Sequence, residues 1–547
     1  MRVHLAALGC RLNEAELQGW ERSLRQSGHQ VVHQARQADV CIVNSCAVTA
    51  EAESKSRQLA RRMHRLNPSA KIVLSGCYAS LHPEQAAKTL PVDLLVPNAR
   101  KDHLVGEVVG KAAEWSGVDS RFRGLPKRSA FCSSEEKPAE HAKMDSRLRG
   151  NDKVGGNDKK DQVNKAARGF VKVQDGCRNR CGFCIVTVAR GSQRSRPVED
   201  VCSDIRSWQQ EGAAEIILTG VHLGGYGGDL GTNLSHLLRA VLRHTTIPRI
   251  RLGSLEPWDL PEDFFTLWEQ NGRLMPHLHL PLQSGCDSVL ARMARRCMTA
   301  AYRNLVEQAR QSIPNPRITT DVIGGFPGET DSEWQQTMDF VQEMEFGGVH
   351  VFPYSKREGT RAASLPDPVP DGVKKERCAR LRVLSDRLHR RFAANLQGQV
   401  LDVLYECPVA GFTSRDAMNR VSTNTKYSGL DSRPLRGFAP KDPAGVYPRE
   451  SGGGNDKRGT DDKEKIWWTG YTPNYMRVVT PFTRWSNPGG LIIPTRIDGY
   501  DHEQHRCTGI AIPQYRAEQT VSKRREQRLG KAKIFEKAEF IRHSAHE

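Results

Sequence analysis

The sequence predicts an α/β protein in three folded parts: an N-terminal α/β domain with a parallel sheet, a central partial barrel of six strand–helix units, and a small C-terminal β-barrel. Three observations support this prediction. Strand and helix patterns alternate over the first hundred residues, strand-plus-helix units recur about six times between residues 168 and 360, and mainly short strands follow residue 396. A chain of 547 residues is long enough to form several domains.

The first domain is predicted over residues 1–118. Its strand-like segments are MRVHLAAL, ADVCIVN, AKIVLSG and VDLLVPN, and its first helices are expected over 13–27 and 50–65. This alternation indicates a parallel sheet flanked by helices. Three cysteines, Cys10, Cys46 and Cys77, each follow a strand. We expect them to converge at the carboxyl edge of the sheet, where such sheets bind ligands.

The central domain is predicted over residues 167–395. Its expected strands are GFVKVQDG, AEIILTGV, RIRLGSLE, HLHLPLQS, ITTDVIGG and GVHVFPYS, followed by a helical stretch at 372–396. Eight such units would close a full barrel. Six units predict an open barrel that still has its site at the carboxyl ends of the strands.

The last folded part is predicted over residues 396–515. Five short strands are expected there: QVLDVLYE, KIWWTGY, YMRVVTP, GLIIPTRI and TGIAI. Strands of this number and length, separated by turns, favour a small β-barrel. The remaining residues, 516–547, are predicted to be a basic helix or a disordered tail.

Two segments fit none of these domains. Residues 119–166 are predicted to be a linker that contains an insertion at 133–165, and a second insertion at 412–465 interrupts the C-terminal barrel. Both insertions contain DSR, LRG and GGNDK strings, so they form a short internal repeat. The repeat is too polar and too rich in glycine to build a packed core, and we expect both insertions to be disordered.

Charge and composition limit the function classes. Lys and Arg outnumber Asp and Glu by 81 to 63, which gives a net charge of +18 and predicts a polyanionic partner such as nucleic acid. The N-terminus lacks the basic start and long apolar stretch of a signal peptide, and no run approaches the roughly 20 apolar residues that cross a bilayer. We therefore expect a cytoplasmic protein with no membrane partner. In that compartment the 14 cysteines are not expected to form a disulfide framework.

The segment CRNRCGFC places Cys177, Cys181 and Cys184 close together without a fourth cysteine nearby. A structural zinc site normally needs four Cys or His ligands, and the next histidine along the chain is His222. Chance clustering of buried thiols is a second interpretation. The interpretation that we favour is a 4Fe–4S cluster, which usually takes four cysteines. Three cysteines would leave one iron open to bind a substrate.

The C-x-x-x-C-x-x-C spacing after the first barrel strand resembles the signature of radical S-adenosylmethionine enzymes. In that family the open iron binds S-adenosylmethionine, which is cleaved to a 5′-deoxyadenosyl radical. The order of domains further resembles the methylthiotransferases, which add a TRAM β-barrel at the C-terminus. The resemblance covers nearly the whole chain apart from the insertions and the tail.

This resemblance implies two 4Fe–4S clusters and S-adenosylmethionine as cofactors. The segments GCRLNEAE, NSCAVT and GCYA match the family's N-terminal cysteines at Cys10, Cys46 and Cys77. In the family these hold a second, auxiliary cluster with a free iron to which sulfur can attach. The radical-generating cluster would be held by Cys177, Cys181 and Cys184.

Four further residues are implied as S-adenosylmethionine contacts. Thr219 and Gly220 lie in LTGVHLGGYG, Glu256 in SLEP and Gln283 in PLQSG. The alternative for Glu256 and Gln283 is a polar plug in the barrel mouth. His277 and His279 alternate along one strand and so share a face, and we assign them no chemistry.

The substrate expected from this resemblance is tRNA. GCRLNEAE is closest to the branch that inserts a methylthio group at carbon 2 of threonylcarbamoyladenosine next to the anticodon. Two other branches, acting on isopentenyladenosine in tRNA or on a ribosomal-protein aspartate, are the alternatives, and a non-catalytic RNA-binding protein with structural metal is an alternative of another class. Further expected partners are a reducing electron donor protein and a sulfur donor, and the chain is expected to be a monomer.

Aromatic residues beside basic ones in the C-terminal barrel fit RNA binding, because stacking on aromatic rings near positive charge is typical of single-stranded RNA sites. These residues are Trp467, Trp468, Tyr471, Tyr475 and Arg477. The alternative is that the tryptophans only fill the barrel.

Overall fold

The computed structural model describes residues 1–116, 167–409, 465–483, 486–502 and 504–512. The predicted tail and the two predicted insertions, apart from residue 465, lie outside the described residues. Two compact units are distinguished: one comprises residues 1–102 and 165–547, and the other comprises residues 103–164. Within the described part of the chain, no helix is both long enough and apolar enough to traverse a bilayer.

A parallel five-stranded sheet forms the N-terminal domain. Its strands are β1 (Arg2–Ala7), β2 (Gln30–Val31), β3 (Val40–Ser45), β4 (Lys71–Gly76) and β5 (Leu94–Val96), in the order β2-β1-β3-β4-β5. Its helices are α1 (Arg11–Gln26), α2 (Ala50–Leu66), α3 (Cys77–Leu81) and α4 (Pro83–Thr89), with 3-10 turns at Ala35–Gln37 and Asn98–His103. Strand β3 is buried along its whole length, as expected for a strand covered on both faces. Helix α2 begins where the Thr49 side chain accepts a hydrogen bond from the Ala52 N–H at 3.1 Å.

The second compact unit contributes one helix to the described residues, α5 (Leu104–Ser116).

The central domain is an open barrel of six parallel strands. They are β6 (Arg168–Lys172), β9 (Glu215–Thr219), β10 (Arg249–Leu252), β11 (His277–His279), β12 (Arg317–Gly324) and β13 (Gly348–Pro353), and a short hairpin of β7 (Gln174–Asp175) and β8 (Arg194–Ser195) lies beside them. The strands form two three-stranded sheets, β6-β9-β10 and β11-β12-β13. Parallel bridges between Ile250 and Leu274 and between Ser254 and His279 join the two sheets.

Helices surround this barrel. They are α6 (Val186–Arg190), α7 (Val198–Gln210), α8 (Leu234–His244), α9 (Thr266–Glu269), α10 (Asp287–Arg292), α11 (Thr299–Ser312), α12 (Asp331–Glu343) and α13 (Asp371–Ala394), with 3-10 turns at Leu223–Gly225 and Arg361–Ser364. Helix α12 begins with a capping box in which Thr330 and Glu333 satisfy each other's backbone N–H groups. The largest apolar core lies between these helices and the strands and includes Ile216, Leu278 and Trp334.

The C-terminal domain is a closed barrel of five strands, β14 (Val400–Pro408), β15 (Lys465–Tyr471), β16 (Arg477–Thr483), β17 (Ile492–Asp501) and β18 (Arg506–Ala511), in the order β14-β15-β16-β18-β17. The predicted fold class is therefore confirmed in all three parts. Strand β2 escaped prediction because its two residues carry too little pattern. The domain boundaries given above stay predictions.

Candidate active site

The first cysteine trio, Cys177, Cys181 and Cys184, lies in the loop between β7 and α6, which we name the cysteine loop (residues 176–185). All three are free thiols and each is partly exposed. The Cys177 N–H donates to the Gly191 carbonyl at 3.1 Å, and the Cys184 N–H donates to the Cys181 carbonyl at 3.1 Å. Burial, together with the neighbouring Cys181 and Cys177 thiols, raises the pKa of Cys184 to about 12. The three thiols are thus close enough to influence one another's charge.

A contact across the open side of the barrel holds the cysteine loop. The Gly182 N–H donates to the Met293 carbonyl at 2.7 Å, and the Gly182 carbonyl accepts from the Ala362 N–H at 2.7 Å. Ala362 follows the last barrel strand, whereas the cysteine loop follows the first. The loop therefore connects the two edges that the open barrel leaves apart.

An arginine that sequence analysis missed faces the sulfur of Cys181. Arg295 is 5% exposed and places its Nη1 atom 3.7 Å from Cys181 Sγ. Its Nη2 atom lies 2.9 Å from a carboxylate oxygen of Glu256, and the guanidinium lies 4.2 Å from the centroid of the Trp258 ring. Positive charge at this point favours the thiolate form of Cys181. No motif around Arg295 marks it, because its partners lie far away in sequence.

The four predicted S-adenosylmethionine contacts lie at the carboxyl ends of three strands. Glu256 is joined to the cysteine loop through Arg295. Gln283 has a left-handed backbone, with φ +77°, which is held by the Asp321 carbonyl at 2.8 Å and the Ile323 N–H at 2.9 Å.

Thr219 ends β9 and is 3% exposed, and Gly220 follows it. A Cβ at Gly220 would lie 2.9 Å from Oε1 of Gln174, so a glycine allows this turn to pack against β7, which leads into the cysteine loop.

His222 connects the turn after β9 to the cysteine loop. Its ring is fully buried, and Nε2 lies 2.8 Å from an Asp259 carboxylate oxygen and 3.2 Å from Nδ2 of Asn179. Asn179 lies between the first two cysteines of the trio. Asp259 and Asn179 thus both contact His222 at Nε2, which connects the turn after β9 to the residue between Cys177 and Cys181.

The second trio, Cys10, Cys46 and Cys77, forms at the carboxyl edge of the N-terminal sheet as predicted. Cys10 follows β1, Cys46 follows β3 and Cys77 follows β4, and these three strands are adjacent and parallel. Cys46 and Cys77 are buried, while Cys10 is exposed. Burial, Cys77 and Cys10 together raise the pKa of Cys46 to about 11. The structure therefore brings together three thiols that are distant in sequence.

A buried ionic network lies against both trios. Arg190, the last residue of α6, donates to Glu16 at 3.0 Å, to Asp175 at 2.9 Å and to the Asn13 side chain at 2.7 Å. Asp175 also accepts the Gly176 N–H at 2.8 Å, where the cysteine loop begins. Asn13 and Glu16 lie on α1, which begins directly after Cys10. Arg190 thus joins the first helix of the N-terminal domain to the cysteine loop of the barrel.

The same network reaches Cys77. Asn98 places its Nδ2 atom 3.7 Å from Cys77 Sγ and donates to the Ala189 carbonyl at 2.8 Å. Lys101, which is 2% exposed, lies 2.5 Å from Glu16 and donates to Asn98 Oδ1 at 3.2 Å. Burial alone would raise the pKa of Glu16, but the charges of Lys101 and Arg190 hold it well below its usual range. The carboxylate therefore stays charged in the interior.

Tyr471 and Tyr475, two of the aromatic residues that fit RNA binding, pack against protein groups in the structure. The two rings stack on each other at 4.9 Å, and Tyr475 packs 4.3 Å from the Arg251 guanidinium and 5.0 Å from the His277 ring. Trp467 is only 8% exposed, as the barrel-filling alternative predicts. Both tyrosines thus pack at the amino-terminal ends of the barrel strands, away from the cysteine loop.

Two family models match the chain. The model described as Uncharacterized protein family UPF0004 matches residues 2–97, which contain the second trio, and the model described as Radical SAM superfamily matches residues 171–341, which contain the first.

Curated relatives span most of the chain. It is 34% identical over 405 residues to threonylcarbamoyladenosine tRNA methylthiotransferase MtaB of Thermotoga maritima, covering 74% of this chain and 86% of the relative. It is 33% identical to the protein of the same name from Bacillus subtilis, covering 74% and 84%. The chain is 29% identical to a tRNA-2-methylthio-N(6)-dimethylallyladenosine synthase of Bacillus pumilus, and the alignment covers 76% of this chain and 80% of that relative. Among solved structures, a radical S-adenosylmethionine methyltransferase, TsrM, from Kitasatospora setae aligns with a TM-score of 0.46 at 14% identity, covering 66% of this chain and 77% of that one.

Proposed function

The chain belongs to the radical S-adenosylmethionine methylthiotransferase family, and we propose that it inserts a methylthio group at carbon 2 of N6-threonylcarbamoyladenosine in tRNA, next to the anticodon. The observation that carries this proposal is the 34% identity to a threonylcarbamoyladenosine tRNA methylthiotransferase over 86% of that relative. The net charge of +18 supports a tRNA substrate, because Lys and Arg contacts to phosphates release counterions and strengthen binding.

The radical S-adenosylmethionine family uses S-adenosylmethionine and a 4Fe–4S cluster. We propose that Cys177, Cys181 and Cys184 hold this cluster. They fit it because they are free thiols on one loop, and because Arg295 offsets the negative charge that ligation would place on Cys181. When bound, the cluster would supply the electron for reductive cleavage of S-adenosylmethionine.

A second 4Fe–4S cluster is proposed at Cys10, Cys46 and Cys77. These thiols fit it because they converge at one sheet edge and because Asn13, which Arg190 binds at 2.7 Å, places the same oxygen 3.9 Å from Cys10 Sγ. The Asn98 amide, 3.7 Å from Cys77 Sγ, can donate a hydrogen bond to that sulfur. We propose that this cluster carries the sulfur for the reaction.

We propose that Glu256, Gln283, Thr219 and Gly220 shape the site for S-adenosylmethionine. Glu256 has the best support, since Arg295 ties its carboxylate to the cysteine loop. The held backbone at Gln283 and the close packing of Gly220 on Gln174 give the other walls of this site a defined geometry. A reducing electron donor protein and a sulfur donor are proposed partners, and a monomer is the proposed state.

The cofactor assignment is tested with reconstituted protein. Wild-type protein loaded with iron and sulfide should cleave S-adenosylmethionine to 5′-deoxyadenosine, and a Cys181→Ala variant should not, because two thiols cannot retain the cluster. The matched control is Cys202→Ala, which removes a thiol that α7 buries in the core. Cleavage by Cys181→Ala at the wild-type rate would refute the assignment.

The substrate is tested by mass spectrometry of tRNA nucleosides from a deletion strain. The methylthio form of threonylcarbamoyladenosine should be missing and should return when the gene is restored. Loss of methylthio-dimethylallyladenosine instead would favour the activity that the Bacillus pumilus relative is named for. If neither nucleoside changed, a ribosomal-protein substrate would become the leading alternative.

A further inference from the structure

Three polar side chains on the last three barrel strands meet on the inner wall of the barrel. His279 Nε2 and His350 Nδ1 each lie 3.2 Å from the same oxygen of Asp321, Oδ1. The two imidazole rings lie 5.1 Å apart at an interplanar angle of 30°. Side-chain exposure rises from 15% for His279 to 22% for Asp321 and 63% for His350. We name these three residues the polar wall cluster.

Strand register explains why these side chains meet. Asp321 pairs with His350 across β12 and β13, and His279 pairs with Thr319, which shares a face with Asp321. Thr319 Oγ1 lies 3.0 Å from Nδ1 of His279 and so orients the ring with Nε2 toward Asp321. Burial alone would raise the pKa of Asp321, but His279 and His350 outweigh it and hold the pKa well below its usual range. The carboxylate therefore orients both rings.

The polar wall cluster borders the proposed S-adenosylmethionine site. The Leu255 N–H donates to the His279 carbonyl at 2.9 Å, and the next residue is Glu256. The Gln283 N–H donates to the Asp321 carbonyl at 2.8 Å. The cluster is thus adjacent in the sheet to two residues proposed to contact S-adenosylmethionine, and its most exposed member is His350.

We propose that the polar wall cluster binds the polar N6 substituent of the target adenosine and that His350 determines the preference for threonylcarbamoyl over an apolar substituent. This inference rests on the proposed function. Threonylcarbamoyl carries a carboxylate and a hydroxyl, which an imidazole can bind through a charge-assisted hydrogen bond. The Asp321 carboxylate accepts from Nδ1 of His350. A neutral ring then leaves Nε2 as an acceptor for the threonyl hydroxyl, and a protonated ring leaves an Nε2–H donor for the threonyl carboxylate.

An apolar dimethylallyl group offers these side chains no hydrogen-bonding partner. If such a group covered the two imidazoles and the carboxylate, these side chains would lose their hydrogen bonds to water and gain none in return. A site built around hydrogen bonds rejects an analogue that lacks them far more strongly than an apolar pocket rejects a polar one. His350 is therefore a binding residue, while Asp321 and His279 act through it as positioning residues.

The test uses full-length protein with both clusters reconstituted and anticodon stem–loops that carry threonylcarbamoyladenosine, dimethylallyladenosine or plain adenosine. Affinity is measured by fluorescence anisotropy, and 5′-deoxyadenosine and methylthio product are measured in parallel. His350→Phe should weaken binding of the threonylcarbamoyl stem–loop by about 10- to 100-fold, leave the plain stem–loop unchanged and tighten binding of the dimethylallyl one. His350→Gln, which keeps hydrogen-bonding capacity, should restore part of the loss.

His244→Phe is the matched control, because His244 is an exposed histidine at the end of α8. It should leave all three affinities unchanged. Asp321→Asn should weaken the same preference as His350→Phe while cluster absorbance and S-adenosylmethionine binding stay at wild-type levels.

Three outcomes overturn the inference. The first is an unchanged preference in His350→Phe when wild-type protein acts on the threonylcarbamoyl stem–loop, which leaves the proposed function intact. The second is a wild-type protein that does not act on that stem–loop, which removes the proposed function as well. The third concerns metal: the three ligand atoms lie within 4.8 Å of one another, so they could hold a divalent cation instead. One equivalent of non-cluster metal that is retained by wild type and lost in Asp321→Asn would replace substrate binding with a metal site.

Discussion

At Gly9 the backbone adopts φ +101°, and a Cβ there would lie 2.7 Å from both Cβ and Sγ of Cys46. Gly76, with φ +98°, is equally constrained, since its Cβ would lie 2.2 Å from the Ser45 carbonyl oxygen. Residues with a side chain rarely adopt this backbone conformation, and their Cβ atoms do not approach other heavy atoms so closely. These two glycines therefore allow the turns that carry Cys10 and Cys77 to close around Cys46.

Gly9→Ala should prevent the protein from holding its second 4Fe–4S cluster. The added methyl group would push Cys46 away and strain the turn that presents Cys10, so the trio would no longer converge. Iron in reconstituted protein should fall from about eight to about four atoms per chain, because each 4Fe–4S cluster holds four. Iron analysis and electron paramagnetic resonance of the reduced protein measure this.

Gly19→Ala serves as the control, because a Cβ at this position of α1 would meet nothing within 4 Å. It should keep all the iron and stabilise the helix slightly. Full iron content in Gly9→Ala would show that the second trio does not hold a cluster in the proposed way.

At the scale of secondary-structure elements, the thiols lie at the ends of strands, and a contact between two helices joins the segments that carry them. The parallel strands β1, β3 and β4 bring the three turns that carry the second trio to one edge of the N-terminal sheet. The open barrel likewise positions the cysteine loop at one edge. Helices α1 and α6 then meet through Arg190, which lies 4% exposed between Glu16 and Asp175. This contact joins the helix that follows Cys10 to the helix that follows the cysteine loop.

Arg190→Met should uncouple radical formation from product formation. Glu16 and Asp175 would lose this buried partner while Glu16 keeps Lys101, and breaking a buried pair lowers the free energy of unfolding by about 3–5 kcal/mol. The cysteine loop keeps its other hydrogen bonds, so 5′-deoxyadenosine formation should persist. Methylthio product should fall at least about tenfold, because misplacement that raises the activation free energy by about 1.4 kcal/mol is enough for that loss. Liquid chromatography of both products and urea unfolding measure these effects.

Arg196→Met provides the comparison. Arg196 pairs with Asp204 at 2.7 Å, and their side chains are 30% and 38% exposed. Exposed pairs of this kind contribute only about 0–1 kcal/mol, so stability and product yield should both stay near wild type. Equal losses of both products in Arg190→Met would contradict a positioning role.

At the scale of the whole molecule, the C-terminal barrel closes the amino-terminal end of the central one. The loop between β15 and β16 supplies the Pro473 carbonyl, which accepts from Arg251 at 2.9 Å, and Tyr475, whose ring covers that arginine. Glu215 is fully buried and accepts from Arg251 at 2.9 and 3.0 Å. Arg168 and Arg249 lie 3.8 and 3.9 Å from the same carboxylate. One negative charge therefore serves three guanidinium groups, of which Arg249 and Arg251 are buried.

Glu215→Gln should lower the free energy of unfolding at pH 7 by about 3–5 kcal/mol, because the arginines would lose their shared counterion. Burial raises the pKa of Glu215, but Arg251, Arg168 and Arg249 outweigh burial and hold it below its usual value. Stability from this group is present above the unfolded-state pKa of about 4.3 and is lost as the pH falls toward the lower folded-state pKa. The gap between wild type and variant should narrow below about pH 4.3, as urea unfolding across that range would show.

Glu343→Gln removes a carboxylate that pairs with Arg303 at the surface, where the side chains are 54% and 35% exposed. Its effect should stay within about 1 kcal/mol at every pH. A pH-independent gap for Glu215→Gln would mean that the Glu215 carboxylate is not held charged in the folded protein.

Local patterns account for much of this protein. Alternating strand and helix signals predicted the parallel sheet, the six barrel strands and the five short C-terminal strands. The convergence of Cys10, Cys46 and Cys77 also followed from the sequence, because each thiol comes directly after a strand and parallel strands end at the same edge of a sheet. The cysteine loop was evident because its three thiols lie within eight residues.

Only the tertiary structure determined which side chains, distant in sequence, lie near those thiols and where the aromatic residues pack. Arg295 meets Cys181 across 114 positions of sequence, Arg190 meets Glu16 across 174, and Arg251 meets the Pro473 carbonyl across 222. Along the sequence Tyr475 carried the same signal for RNA stacking and for domain packing, and the structure shows its ring stacked on Tyr471 and packed against Arg251. Such contacts depend on which surfaces are removed from water when domains pack together, and no periodicity along the chain records that choice.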